Sequence, residues 1–237
     1  MQLLEVKELK KGFGSKAFNT RIEVLKGINL KIQRGELVAL MGPSGCGKST
    51  LLNIIGGLLA GDGGKISLKG REYGLKGPSS VVDVRRELVG WIFQDFHLVD
   101  RLDALDNVAF SLELSGMSSS EAEGRAMDAL TRVGLADRMN FIPDQLSGGQ
   151  QQRVAVARAI SGSRPLILAD EPTGNLDVKS GEEVIKLFKD LCANDGLSVL
   201  MVTHDPMLAS MADRMLLLKD GVTAASDIRS AWGIEEE

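Results

Sequence analysis

The 237-residue sequence contains little of several residue types, and each shortage excludes a class of protein. Its two cysteines, Cys46 and Cys192, are too few and too far apart for a disulfide framework or a cysteine metal site, and they fit a reducing compartment. No apolar run approaches the roughly 20 residues that a helix needs to cross a bilayer. The formal net charge is −4 and no basic run occurs, so the sequence predicts no nucleic-acid partner.

A secretory signal is also missing from the first residues. Positions 1–9 mix charged and apolar side chains, whereas a signal peptide would place a continuous apolar stretch there. We therefore expect a cytosolic protein that reaches a membrane only through a partner. The apolar fraction of 43% and the charged fraction of 25% are typical of a globular protein, and the length allows one large α/β domain or two small ones.

The most informative segment that is present is a glycine-rich stretch at residues 42–50. An apolar run precedes it at 37–41 and another follows at 51–55, which gives the order strand, turn, helix of a phosphate-binding loop. Glycines let successive N–H groups point inward, and the helix start adds a partial positive charge. We expect Lys48 to reach the β- and γ-phosphates of a nucleoside triphosphate and Ser49 to bind Mg²⁺. The alternative is a loop in which glycine merely turns the chain. The predicted phosphate loop comprises Gly42, Pro43, Ser44, Gly45, Cys46, Gly47, Lys48, Ser49 and Thr50.

Acidic residues follow an apolar run that begins at residue 166. Asp170 and Glu171 stand where such a buried strand would end, and the carboxyl ends of parallel strands face the ligand crevice. We expect Asp170 to hold Mg²⁺ and Glu171 to polarise the attacking water. A second apolar run at 197–203 delivers His204 to the same edge, where it would contact the γ-phosphate or the water. A solvated acid pair and a structural histidine are the alternatives.

A second anion-seeking helix start is predicted at residues 146–150, with the sequence LSGGQ. Ser147 is a good N-cap for the helical pattern that continues to residue 160, and Gly148 and Gly149 leave the backbone open to close approach. An ordinary capped helix does not need an exposed glycine pair. One triphosphate hardly needs two such helix starts from one chain. The simplest geometry has two copies head to tail, each supplying Ser147 to the other's nucleotide.

The rest of the chain is predicted to frame these motifs. Alternating patterns at 3–9, 24–32 and 65–72 predict a small antiparallel sheet, and the turn at 61–64 is predicted to end the helix after the phosphate loop. Helical periodicity runs from 103 to 134 with a break at 116–120, which predicts a helical lobe inserted in an α/β core. Phe13, on an early turn, is predicted to stack on adenine, and a packing role is the alternative. The four apolar side chains at 95–102 indicate either local core or a contact surface.

Together with Gln94 and the NLD sequence at 175–177, these motifs resemble an ATP-binding-cassette (ABC) ATPase over nearly the whole chain. LSGGQ shortly before an acidic strand is far more specific than a phosphate loop alone. The resemblance implies an α/β, P-loop NTPase (RecA-like) core with an antiparallel β-subdomain and an α-helical subdomain inserted at about 96–160, within one domain spanning 1–237. FQDFHLV and DEPTGNLD further resemble the lipoprotein-releasing and macrolide-efflux group.

The resemblance also implies roles for individual residues. Phe13 matches an adenine-stacking aromatic that is usually tyrosine, Gln94 matches the glutamine that senses Mg²⁺ and water, and His204 matches the γ-phosphate switch. Ser147, Gly148, Gly149 and Gln150 match the segment that closes over the partner's ATP, and Asp177 matches a cross-dimer loop. The implied ligands are ATP and Mg²⁺, and the implied partners are a second copy and an integral membrane permease subunit. Phe96, Leu98 and Leu102 are the candidates for contact with that subunit.

Three functions remain open at this level. The first is an ATPase that drives export or extraction of a lipoprotein, peptide or drug-like substrate through a permease. In the second, ATP-driven motion is relayed across the bilayer to an extracytoplasmic enzyme without transport. The third is an ABC protein acting on DNA or ribosomes, but such relatives carry a coiled-coil insertion, zinc-binding cysteines or two cassettes, and this sequence has none of these.

Overall fold

The computed structural model describes residues 1–14 and 20–224. Within them the strands are β1 (Gln2–Phe13), β2 (Ile22–Gln33), β3 (Leu37–Met41), β4 (Gly63–Leu68), β5 (Arg71–Glu72), β6 (Val89–Phe93), β7 (Leu166–Asp170), β8 (Ser198–Val202), β9 (Arg214–Lys219) and β10 (Val222–Ala224). The α-helices are α1 (Lys48–Ile55), α2 (Val82–Leu88), α3 (Ala104–Glu113), α4 (Ser119–Arg132), α5 (Gly148–Ile160), α6 (Val178–Asp195) and α7 (Pro206–Ser210). Ser15, in the predicted turn at 12–15, and the C-terminal tail lie outside the described residues. Every helix that is described is too short or too polar to serve as a transmembrane span.

Two sheets organise the chain. The larger has the order β10-β9-β3-β8-β7-β6, in which β3 pairs in parallel with β8 and β9, and β7 pairs in parallel with β6 and β8. The smaller sheet is antiparallel, with the order β2-β1-β4-β5. The predicted α/β core with an antiparallel β-subdomain is therefore confirmed. Since β3, β7 and β8 are parallel, their carboxyl ends meet at one edge of the sheet.

Alternation along the central strand explains why the parallel sheet is covered on both faces. Leu37, Ala39 and Met41 of β3 belong to the apolar cluster shared with α3 to α6, whereas Val38 and Leu40 belong to the cluster shared with α1 and the antiparallel sheet. Successive side chains of a strand point to opposite faces, so an uninterrupted apolar run supplies both layers. The strand is thereby fixed between two packed layers, which gives its carboxyl end a rigid position.

The helices α3, α4 and α5 lie between β6 and β7 in the chain and pack on one another, and α5 also contacts β6 and α6. Small and branched side chains, including Ala122, Ala126 and Val154, form their shared interior. This agrees with the predicted helical insertion. Its limits at about 96–160, and the assignment of 1–237 as one domain, stay predictions.

The helix after the phosphate loop ends earlier than the sequence predicted. Helix α1 stops at Ile55 rather than at the 61–64 turn, because Gly57 takes a φ of +70° and closes a Schellman-type cap, in which Leu58 N donates to the Asn53 carbonyl oxygen at 2.8 Å and Gly57 N to the Ile54 carbonyl oxygen at 3.1 Å. A glycine pair in this geometry terminates a helix. Residues 61–64 instead lead into β4.

Candidate functional site

A cavity of about 400 Å³ lies at the carboxyl edge of β3, β7 and β8. It joins the predicted phosphate loop to the two predicted acids, although these are far apart in sequence. Its lining residues are Val24, Ser44, Gly45, Gly47, Lys48, Ser49, Thr50, Asp170, Glu171 and Val202. A larger cavity of about 620 Å³, beside Arg132 and Asp195, is lined by neither a glycine loop nor a strand-end acid, so the chemistry points to the first cavity.

Two glycines show why the phosphate loop needs this sequence. Gly42 has a φ of +153°, and a Cβ there would lie 2.2 Å from the Leu218 carbonyl oxygen. Gly47 has a φ of +106°, and a Cβ there would lie 2.9 Å from side-chain atoms of Val24 and Leu25. At both positions the backbone has a positive φ, which side-chain-bearing residues rarely adopt, and there is no space for a Cβ. The loop can therefore take this path only with glycine.

The start of α1 lacks a side-chain cap, as does that of α2, but α2 has the acidic Asp83 in its first turn. Side chains of Asp103, Ser118, Ser147, Asp177 and Asp205 cap helices α3 to α7, whereas within the described chain α1 has no side-chain cap and no acidic residue in its first turn. The Lys48 ammonium donates to the carbonyl oxygens of Gly42 at 2.7 Å and Pro43 at 3.0 Å, which holds it within the loop. Open N–H groups beside a fixed cation make a cradle for phosphate.

Glu171 sits in an unusual backbone conformation directly after β7. Its φ is +51°, in the left-handed region that non-glycine residues rarely adopt. The conformation is held by a hydrogen bond from Glu171 N to Val202 O of 3.1 Å and by one from Gly174 N to Glu171 O of 3.0 Å. Strained backbone of this kind concentrates at functional sites. The turn carries Glu171 out of the strand and into the cavity beside Asp170.

His204 is hydrogen-bonded to that carboxylate. Its Nδ1 lies 2.9 Å from Oε2 of Glu171, and the His204 side chain is 75% exposed while that of Glu171 is 21% exposed. The pair therefore has one sheltered member in the cavity and one accessible member at its rim. The sequence placed both residues at this edge of the sheet, but their direct contact is a finding of the structure.

The residues present fit Mg²⁺ at two of the three predicted positions. The Ser49 hydroxyl and the Asp170 carboxylate both line the cavity, and oxygen donors of this type are those that Mg²⁺ prefers. The side chain of Gln94, the third predicted ligand, is engaged elsewhere. Its Nε2 donates to Oδ1 of Asn175 at 3.2 Å.

Asn175 is a residue that the sequence reasoning missed as a contact. Its Oδ1 accepts the hydrogen bond from Gln94. Its Nδ2 donates to the Gln94 carbonyl oxygen at 3.1 Å and to Asp95 Oδ1 at 2.9 Å. The NLD sequence marked Asn175 as part of a motif, but it did not indicate a contact between Asn175 and Gln94. The three bonds tie the segment after β6 to the loop before α6.

The segment at residues 147–150 forms a capping box. Ser147 Oγ accepts from Gln150 N at 3.3 Å, and Gln150 Oε1 accepts from Ser147 N at 2.9 Å. The predicted N-cap is confirmed, but the expected exposure of the glycine pair is wrong. Gly148 and Gly149 are half-buried; a Cβ on Gly148 would lie 3.4 Å from Leu176, an ordinary contact, and one on Gly149 would lie 3.2 Å from Ser180 Oγ, a tighter one.

Asp177 caps the next helix. It accepts from Ser180 N at 3.0 Å and from Ser180 Oγ at 2.6 Å, and these hydrogen bonds lower the pKa of its carboxyl group. Asp177 and the segment 147–150 thus lie close together, since Gly149 also faces Ser180. Both lie outside the lining of the cavity, as a role toward another copy's nucleotide would require.

Phe13 ends β1 with a side chain that is 46% exposed. It pairs with Ile22 of β2, and two residues further along the same strand Val24 lines the cavity. The antiparallel sheet therefore brings an exposed aromatic ring to the side of the phosphate loop. An exposed ring is available for stacking on a base.

Cys46 and Cys192 differ in a way that permits a chemical test. Burial first, and then the Asp213 charge, raise the pKa of the Cys192 thiol to about 12, so that it stays protonated and inert at neutral pH. Cys46 is half-buried in the phosphate loop, with its Sγ 2.8 Å from a Cβ built on Gly42. We expect a bulky maleimide to label Cys46, to block ATP binding by displacing the loop, and to label it more slowly when ATP is bound.

The control for this labelling is Cys46→Ser, which should bind ATP normally and resist the reagent. Mass spectrometry of the labelled peptides and fluorescent-nucleotide binding provide the two readouts. Equal labelling of Cys46 with and without saturating ATP would contradict the expectation.

Comparisons with known proteins show the family of the chain. The family model described as ABC transporter matches residues 25–174. The ABC transporter ATP-binding protein MJ1508 of Methanocaldococcus jannaschii is 46% identical over 219 residues, covering 92% of this chain and 96% of the relative. The macrolide export ATP-binding/permease protein MacB of Psychrobacter cryohalolentis is 46% identical over 223 residues, which cover 94% of this chain but 33% of that protein. The chain thus spans about a third of the length of this relative.

A solved structure is similar over almost the full chain. The ATP-binding cassette MJ0796, in a dimeric post-hydrolysis state bound to ADP and phosphate, has a TM-score of 0.82 and 40% identity, covering 95% of this chain and 98% of that one. The fold, the cavity and these matches define an ATP-binding cassette with ATPase activity. The chain belongs to the ABC transporter family of ATP-binding proteins.

Proposed function

We propose that this chain binds ATP with Mg²⁺ in the 400 Å³ cavity and hydrolyses it within a head-to-tail homodimer that drives an integral membrane permease. The observation that carries the proposal is the uncapped start of α1. It lies in a glycine loop with Lys48, directly opposite Asp170 and Glu171 at the same sheet edge. A triphosphate fits between the cationic cradle and the acids.

The roles of the acids follow from their surroundings. Ser49 and Asp170 would hold Mg²⁺, which when bound neutralises charge on the phosphate oxygens. Glu171 accepts a proton from the attacking water, because its sheltered carboxylate faces the cavity. His204 orients that carboxylate through its 2.9 Å hydrogen bond and extends from the exposed rim toward the γ-phosphate. Gln94 reaches the site when its bond to Asn175 opens.

The dimer completes the site. The lining of the chain's own cavity does not include Ser147, Gly148, Gly149 or Gln150. The capping box fixes the backbone of this segment at the start of α5. We assign these four residues to the nucleotide of a second copy, with Asp177 beside them. The dimeric state of the MJ0796 cassette supports this arrangement.

The membrane partner is inferred from the relatives. The MacB proteins are named as export ATP-binding/permease proteins, and this chain matches about a third of their length. We place the chain at the cytoplasmic face of the membrane, held there by the permease. Its cargo class is a lipoprotein, peptide or drug-like molecule that is exported or extracted, and the name of the relatives favours transport over relay to an extracytoplasmic enzyme.

The surface proposed for the permease is a groove of about 350 Å³, here called the aromatic groove. The rings of Trp91 and Phe93 stack with centroids 5.4 Å apart, and the His97 ring lies 4.8 Å from that of Phe93. The lining carries positive charge, because the half-buried Arg158 and the buried Arg164 donate to backbone carbonyl oxygens and have no carboxylate partner within the described part of the chain. A helix with apolar and acidic side chains fits this lining. The groove is lined by Arg85, Val89, Gly90, Trp91, Phe93, His97, Ser111, Arg158, Ala159 and Arg164.

The structure revises the residues to be tested beside this groove. Leu98 packs against the main apolar cluster, and Phe96 and Leu102 are half-buried, so Leu98 serves the core instead of a partner. Val99, which is 46% exposed, is the accessible apolar residue of the segment 95–102. The side chain of Asn107 fixes its backbone by accepting from Val99 N at 2.7 Å and donating to Val99 O at 3.1 Å.

We therefore expect Val99→Asp to reduce co-purification with the permease about 10-fold, because burying an unpaired carboxylate in an interface is costly. ATP binding by the isolated chain should not change. Met127→Asp, at a residue of matching exposure (44%) on α4, is the control. Equal recovery of the permease with Val99→Asp and with Met127→Asp would remove the segment 95–102 from the proposed interface.

A further inference from the structure

One carboxylate outside the cavity collects donors from the end of β1, the strand that carries Phe13, and from the residue that precedes β2. Asp62 lies in the turn between α1 and β4, and its Oδ2 accepts from Gly12 N at 2.8 Å and from Arg21 Nη2 at 2.6 Å. Its Oδ1 accepts from Lys11 Nζ at 3.0 Å. Asp62 N also donates to the Lys10 carbonyl oxygen at 2.8 Å. The turn after α1 is thereby fastened to the end of β1 and the beginning of β2.

These contacts surround the position of the ring. Gly12 and Lys11 directly precede Phe13, and the Lys11 ammonium lies 5.5 Å from the centroid of the Phe13 ring. Arg21 precedes Ile22, the residue paired with Phe13 across the hairpin. A Cβ on Gly12 would lie 2.9 Å from the Arg21 guanidinium, so glycine at this position lets that side chain pass to Asp62.

The cluster is charged and sheltered. The side chains of Lys11, Arg21 and Asp62 are 13%, 21% and 31% exposed. Partial burial alone would raise the pKa of Asp62, but the hydrogen bonds from Gly12, Lys11 and Arg21 outweigh it and lower the pKa to about 2. The carboxylate is therefore ionised at any pH at which nucleotide binding would be measured, and its effect is lost only as the pH falls through about 2.

We propose that Asp62 is a positioning residue for the adenine end of the nucleotide, acting through Phe13. It fixes Gly12 and Lys11, which set the ring at the side of the cavity. This rests on the proposed adenine-stacking role of Phe13. Phe13 is half-exposed at a strand end and lacks the enclosure of a core residue, so its orientation depends on the backbone and the cation beside it.

The role has a specific kinetic consequence. Asp62 and its three donors lie apart from the residues that line the cavity around the phosphate loop and the acids. Loss of Asp62 should weaken ATP binding without slowing the chemical step, so KM rises and kcat stays. Binding of inorganic tripolyphosphate, which has no base, should not change.

The test is the isosteric substitution Asp62→Asn, with the exposed Asp83→Asn on α2 as the control. We expect Asp62→Asn to raise the KM and the Kd for ATP about 3- to 10-fold and Phe13→Ala to raise them about 10-fold or more, since base stacking on an aromatic ring contributes strongly. Asp83→Asn should match the unmodified chain. The double variant Phe13→Ala with Asp62→Asn should bind ATP no more weakly than Phe13→Ala alone, because both act through one ring.

The opposing outcomes separate the two levels of the proposal. If Phe13→Ala does not change the Kd for ATP, the stacking role fails, and the role of Asp62 fails with it. If Phe13→Ala weakens binding but Asp62→Asn does not, or Asp62→Asn weakens binding equally in the Phe13→Ala background, only the role of Asp62 is overturned. Weaker tripolyphosphate binding by Asp62→Asn also overturns it. Should Asp62→Asn fail to fold, Lys11→Met, which removes the cation beside the ring, must show the same rise in KM and the same lack of effect on tripolyphosphate.

Discussion

Glu171→Gln is expected to lower ATP turnover by about 10²- to 10⁴-fold, the range that a general base contributes, while ATP binding persists. The amide keeps the shape of the side chain and its reach to His204 at 2.9 Å, but it cannot accept a proton from water. Since hydrolysis would be the step that reopens the dimer, we expect an ATP-bound dimer to accumulate. Phosphate release and size-exclusion chromatography with Mg²⁺ and ATP measure the two effects.

Glu72→Gln is a suitable control because Glu72 is an exposed acid on β5, outside the cavity. It should hydrolyse ATP at the normal rate and show no stabilised dimer. Retained hydrolysis by Glu171→Gln would remove Glu171 from the role of general base. A Glu171→Gln chain that binds ATP fully and yet stays monomeric would contradict the head-to-tail arrangement itself.

The second large effect is the recovery of activity from two inactive chains. Lys48→Ala removes the cation of the phosphate loop, and Ser147→Arg places a bulky cation where the segment 147–150 would meet the partner's nucleotide. Each homodimer should lose at least about 10²-fold in turnover, as removal of one charge-stabilising group does. In a mixed dimer, however, the intact phosphate loop of the Ser147→Arg chain faces the intact Ser147 of the Lys48→Ala chain. We therefore expect mixing to restore measurable hydrolysis.

The control places both substitutions in one chain. When that double variant is mixed with a chain whose only substitution is Glu171→Gln, every site contains a defect and no activity should return. Loss of the Ser147 cap is expected to cost about 1 kcal/mol of helix stability, so thermal unfolding of each variant has to be measured first. Folded variants that fail to complement each other would argue that a single chain contains the whole site.

The parts of the site that the sequence predicted are those encoded by contiguous residues. The phosphate loop, the Ser147 cap and the acids at the end of β7 each depend on neighbours within a few positions, through glycine conformation, capping and strand ends. Apolar periodicity likewise predicted most strands and helices, because burial on one or both faces imposes a period on the sequence. The end of α1 at Ile55 was missed although its signal, the Gly56-Gly57 pair, is local, because the glycines at 61–64 offer a similar stop signal a few residues later.

Contacts between segments that are distant in sequence could not be predicted from any local sequence pattern. The link from Asn175 to Gln94, the carboxylate of Asp62 beneath the Phe13 hairpin, and the half-buried packing of Gly149 beside Ser180 all join residues brought together by the order of strands and the path of loops. A side-chain hydrogen bond requires partners within about 3 Å, and only the packed fold sets such distances.

By itself, then, the sequence determined that this chain folds around a triphosphate-binding loop, ends its buried strands in catalytic-type acids and carries a second glycine-rich helix start. Its local residues fix backbone conformation, helix ends and which faces are apolar. The tertiary structure decided which of these groups share one cavity, which residues contact Glu171 and surround Phe13, and which apolar side chains of the segment 95–102 remain accessible. Those features depend on distances between elements remote in sequence, which arise only when both faces of the parallel sheet are packed.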